Sequence, residues 1–162
     1  MSTSKNVFIS HHHKDDQGVT DFTNLLAGKD YNIRNSSIRI KEKNKERLIQ
    51  RTVSDETIKR LIRIKMRFAG TVVVLIGSQT HERDWVNWEI EEANKQGKRI
   101  FGVFLKGAKD SDIPESLDKY GEGLVGWNSE KIIAGLEGED IGWCTSSGEP
   151  RTPTYRPTRV CQ

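Results

Sequence analysis

The sequence predicts a three-layer α/β fold around a central, mostly parallel sheet, and three observations carry that prediction. Strand-like and helix-like segments alternate along most of the 162 residues, the pattern of βαβ units. The most apolar segment, Thr71-Val72-Val73-Val74-Leu75-Ile76, is a continuous run rich in β-branched residues, as expected of a strand covered on both faces. The length suits one domain with room for such a core.

Taken in order, Val7-Phe8-Ile9 is a short apolar run that stops at Ser10 and a polar string, which reads as a buried strand ending in a loop. Asp15 or Asp16 caps a helix bearing Val19, Phe22, Leu25 and Leu26, and Gly28 ends it. Tyr31 to Ile40 alternates loosely around Ile33, Ile38 and Ile40 and holds room for a short strand; Lys41 to Thr52 is too charged to assign. Ser54, followed by Asp55 and Glu56, starts a helix whose apolar face is read as Ile58, Leu61, Ile62 and Lys65. After the Val/Ile strand comes a polar loop from Gly77 to Thr80. Asp84 then precedes a helix through Gln96, stopped by Gly97, and Arg99 to Leu105 is the next strand. Pro114 opens a short helical turn, Leu124-Val125 is an edge strand, and Ser129 caps a last helix with Ile132, Ile133 and Leu136. Right-handed crossovers then make the order flavodoxin-like. Residues 1–137 are read as the α/β domain and 138–162 as an irregular tail rich in Pro, Ser and Thr.

Composition narrows the function. Hydrophobic residues are 34% and charged residues 30%, with no apolar run of membrane-spanning length. MSTSKN runs straight into VFIS without the three-part pattern of a secretory signal. Both cysteines, Cys144 and Cys161, lie near the end without metal spacing. A cytoplasmic protein without membrane attachment is expected. The three histidines of HHHK are adjacent in a loop and do not converge on one ion, so no metal is expected. The net charge of +3 hides a block of +8 over residues 34–67, leaving −5 elsewhere. Such a stripe is the solvated face of a helix, an assembly surface or a phosphate contact; without interleaved aromatics, nucleic acid ranks last.

In open parallel sheets ligands bind beyond the carboxyl ends of the strands, where strand order reverses. Two polar loops lie at such ends, Ser10–Asp16 and Gly77–Asp84, and neither carries a dinucleotide or P-loop fingerprint. Projected at roughly 100° per residue, Val86, Ile90, Ala93 and Gly97 form the core face of the helix after the second loop. Glu89 lies on the flank, one turn after Trp85. From spacing alone it is either a surface charge or a carboxylate tuned by an apolar wall.

Val73-Val74-Leu75-Ile76-Gly77-Ser78-Gln79-Thr80, then Asp84-Trp85-Val86-Asn87-Trp88-Glu89-Ile90 and Gly97-Lys98-Arg99-Ile100, resembles the TIR-like family of Thoeris anti-phage systems. Val7-Phe8-Ile9-Ser10-His11 resembles the family's opening strand, and Val125-Gly126-Trp127-Asn128 its flavodoxin-like TIR-related branch. The resemblance covers roughly residues 5–137. It implies a TIR-type NAD+ glycohydrolase or cyclase in which Glu89 is catalytic. NAD+ would be the substrate, with no further cofactor, and Phe8, Ile9, Ser10, His11, Lys14, Ser78 and Trp85 would bind it. It also implies a cyclic ADP-ribose isomer as second messenger for an effector protein, and it allows a homo-oligomer. The alternative is a non-catalytic TIR-type adaptor that assembles through its helices. A receiver or FMN domain fits less well, because the strands end in Ser10-His11 and Gly77-Ser78 rather than in acids.

Overall fold

A computed structural model describes residues 4–12, 16–36, 55–77 and 84–153. Among them the chain runs β1 (Ser4–Ser10), α1 (Asp16–Ala27), β2 (Asn32–Asn35), α2 (Asp55–Arg67) and β3 (Thr71–Ile76), then α3 (Asp84–Lys95) and β4 (Arg99–Phe104). A 3-10 turn (Asp110–Asp112) leads to α4 (Glu115–Tyr120), β5 (Gly123–Val125) and α5 (Ser129–Leu136). The strands form one five-stranded sheet in the order β2-β1-β3-β4-β5, each neighbour parallel to the next. Strand order reverses between β1 and β3, where Ser10 stands opposite Val74. Ser54 and Asp15, two expected helix caps, lie outside the described residues, as do Ile38, Ile40 and Cys161.

Alternation along β1 divides the core. Phe8 points to the layer of α2, α3 and α4, where it joins Ile62, Met66, Val86, Ile90, Ala93 and Leu117. Val7 and Ile9 point to the other layer and meet Val19, Phe22 and Leu26 of α1 and Ile132 and Leu136 of α5. β3 is buried at every position, with alternate residues in each layer, which is why its sequence shows no polar alternation. Gly135 brings α5 close to the sheet: a Cβ there would stand 2.9 Å from the Phe101 ring.

Three local expectations are corrected. The inward stripe of α2 is Ile58, Ile62 and Met66, continued by Ala69; Leu61 and Lys65 face outward, because residues four apart stay in line whereas Leu61 is rotated away from them. Gly97 is exposed rather than part of the α3 core face: the helix ends at Lys95 and Gly97 takes φ +69°, the left-handed geometry that closes a helix. Asn128, not Ser129, caps α5, its side chain accepting from the N–H groups of Glu130 and Lys131 at 3.0 and 3.2 Å.

Beyond α5 the chain returns to the sheet. Leu124 N–H donates to the Gly142 carbonyl at 3.0 Å, and Cys144 N–H to the Leu124 carbonyl at 2.9 Å, so residues 142–144 run along the outer side of β5. Arg151 then grips the buried Asp118 of α4 with both terminal nitrogens, at 2.5 and 2.8 Å, and lies over Trp143. Among the described residues no helix is long and apolar enough to cross a membrane.

Candidate active site

The reversal between β1 and β3 brings two predicted residues together. β1 ends in Ser10, on the same face as Phe8 and fully buried. α3 follows β3 and packs over that face through Val86, Ile90 and Ala93, which turns its flank, Glu89, toward the end of β1. The Ser10 hydroxyl donates to Glu89 Oε1 at 3.1 Å. Seventy-nine residues separate the partners, so only the completed sheet makes this contact.

Phe8, on the same strand face as Ser10, and Val86 and Ile90, beside Glu89 on α3, are buried in the apolar layer. Burial pushes the Glu89 carboxyl up to about 8, far above the ordinary carboxylate range, while the Ser10 hydrogen bond pulls in the opposite direction. A carboxyl that titrates there can hold or release a proton near neutral pH, as acid–base chemistry requires.

The other expected residues distribute unevenly. Phe8 is completely buried beneath the site and serves the core. Ile9 points into the opposite layer; near the site it offers its backbone, its N–H reaching Asn35 Oδ1 at 3.3 Å and its carbonyl lying 3.4 Å from His11 Nδ1. His11 therefore stands at the strand end, half-buried, and His12, next in sequence, is buried. Trp85 is 39% exposed on the first turn of α3, its ring edge-on to Trp88 with centroids 5.9 Å apart. Lys14 and Ser78 lie outside the described residues, as does Arg39 in the basic block. Among the described residues no three His, Cys, Asp or Glu side chains gather in a metal-binding group.

Several supporting side chains escaped the sequence reading. Trp88 lies beneath two cations of α2, Lys59 Nζ and Arg63 Cζ, each 5.4 Å from its ring. Arg63 also reaches Glu92 at 3.6 Å, one turn beyond Glu89. Asn87 Oδ1 accepts the Ser116 N–H at 3.0 Å and so ties α3 to the first turn of α4. The Trp-x-x-x-Glu spacing showed the helix flank, but no local signal marks which neighbours the other helices supply.

The family model described as "Thoeris protein ThsB, TIR-like domain" matches residues 8–110, which include both Ser10 and Glu89. A Bacillus cereus (strain MSX-D12) protein, named "Putative cyclic ADP-D-ribose synthase ThsB1", is 40% identical over 57 residues. That stretch is 35% of this chain and 30% of the relative's length. Among solved structures, a prokaryotic SEFIR domain aligns with 17% identity and a TM-score of 0.44, over 83% of this chain and 94% of its own. With the family model matched over more than half its length, the chain belongs to the TIR-like domain family of the Thoeris protein ThsB.

Proposed function

We propose that this chain cleaves the nicotinamide–ribose bond of NAD+ and closes the remainder into a cyclic ADP-ribose isomer, a second messenger for an effector protein in anti-phage defence. The observation that carries the reading is the Glu89 carboxyl, half-buried at the strand reversal, raised in pKa and with a hydroxyl as its hydrogen-bond partner. The relative named as a cyclic ADP-D-ribose synthase supports the product class.

The chemistry follows from charge. The nicotinamide ring of NAD+ is cationic, and a cation placed beside Glu89 favours the ionised carboxyl, releasing its proton to solvent. As the C1′–N bond breaks, its electron pair neutralises the departing ring and positive charge develops on the ribose, where the carboxylate stabilises it. A hydroxyl of the same molecule then bonds to C1′ and passes its proton to Glu89. Exclusion of water decides between the cyclic product and free ADP-ribose.

The test is mass-resolved nucleotide analysis of cells expressing the protein, with and without phage challenge, beside Glu89→Gln. Formation of a cyclic isomer is expected to fall by about two to four orders of magnitude in the variant. Free ADP-ribose in its place makes the protein a hydrolase. The adaptor reading has one observation in its favour: Leu61 and Ile64 of α2 and Phe68 just beyond its end form an exposed apolar stripe among Arg60, Lys65 and Arg67. Steady NAD+ and no product in challenged cells would favour it.

A further inference from the structure

We propose that Ser10 is a positioning residue for Glu89: its hydroxyl holds Oε1 and leaves Oε2 as the oxygen that meets the substrate. The inference rests on reading Glu89 as the reacting carboxyl, and it changes what Ser10 does, from a contact to NAD+ into a contact to the acid.

Three observations support it. Ser10 is the last residue of β1, its backbone set by pairing with Val74 and its side chain wholly buried, so the hydroxyl is delivered by the sheet and sealed from water. Its proton goes to Glu89 Oε1, and the ionised carboxyl has acceptor capacity left on the other oxygen. A donor that favours the charged form lowers the pH at which a buried carboxyl ionises, the direction in which Ser10 acts here.

The charged groups on neighbouring elements do not take over this role. β3 has no ionisable side chain. Lys59 and Arg63 of α2 lie over Trp88, Glu92 of α3 is paired with Arg63, and Asp118 of α4 is paired with Arg151. Asp84 opens α3 on the exposed side, Glu115 and Lys119 belong to α4, and His11 and His12 follow β1. Burial and Ser10 are the two causes that set Glu89's ionisation among the described residues.

The deciding experiment follows the Glu89 carboxyl in the purified full chain by carbon-detected NMR during a pH titration, with Glu89→Gln assigning the signal. It compares the protein with Ser10→Ala and Ser10→Cys under reducing conditions. The expected midpoints rise from Ser to Cys to Ala, the last by on the order of one pH unit, because a thiol is a weak donor and a methyl none. The rising limb of NAD+ cleavage against pH is expected to move with them. Equal midpoints in all three proteins overturn the inference, as does a Cys variant that titrates like Ser10, since shape alone would then suffice. Should the midpoints shift in a protein that never cleaves NAD+, positioning of the carboxyl stands and the proposed reaction fails.

Discussion

Two carboxyl groups, one buried and one half-buried, stand on neighbouring helices and are treated in opposite ways. Asp118 of α4 is 5% exposed and meets a full positive charge, the two-pronged guanidinium of Arg151. Glu89 of α3 meets a hydroxyl, which favours its charge without neutralising it. The first arrangement secures the returning chain to the domain and leaves no unsatisfied charge for a ligand. The second keeps an acid at the strand reversal without a counter-charge; on the proposed function, a cationic substrate would supply what the protein withholds. Withdrawal from water, full for Asp118 and partial for Glu89, is common to both; what differs is the partner.

Breaking the neutralised pair should have the largest effect on stability. Arg151→Ala strands the Asp118 charge in the interior and is expected to destabilise by about 3–5 kcal/mol in denaturant unfolding. Replacing both partners, with Asp118→Leu and Arg151→Met, should recover most of that loss, which would show that the pair matters through the charge it leaves behind.

Glu89 should behave in the reverse sense. Its folded-state carboxyl titrates near 8 against an ordinary 4.5, so between those values the folded protein keeps a proton that the unfolded chain has released. Stability from this group is therefore full below about 4.5 and is lost as pH rises toward 8. Glu89→Gln, which has no proton to lose, should be more stable than the parent by roughly 1–3 kcal/mol at pH 8–9 and match its trend in acid. Thermal unfolding of both proteins across pH 4–9 checks this; a constant difference at every pH would place Glu89 in water.

A smaller effect tests the link between the regions. Asn87→Ala removes the acceptor for the Ser116 N–H and is expected to cost about 1 kcal/mol. Calorimetry would measure it, and no change would mean that water replaces the amide.

The legible parts of this molecule are those in which local pattern and long-range packing agree. The run from Thr71 to Ile76 reads as a central strand because both layers demand apolar residues there, and it is one. The α2 stripe is ambiguous in sequence because apolar residues outnumber the inward positions: Leu61 and Ile64 are as hydrophobic as Ile58 and Ile62, and only the completed packing separates them. Glu89 was placed on a flank by projection, yet its partner lies 79 residues earlier and comes from strand order. Ile9 illustrates the period-two rule from the other side, since its position beside Ser10 in sequence puts its side chain in the other layer. Arg151 carries no motif, and nothing local marks the contact that Asn87 makes; both partners are supplied by α4.

The path of residues 142–144 beside β5 has a consequence for solubility. β5 is three residues long, and its outward N–H and C=O groups would otherwise offer a template to any extended peptide. The Leu124 N–H and carbonyl are instead taken up by Gly142 and Cys144 of the same chain. That segment is held in turn by the Arg151 clamp, so one guanidinium in the last part of the described chain guards a sheet edge against intermolecular pairing. Loss of the clamp would then show itself first as aggregation, before any loss of the fold.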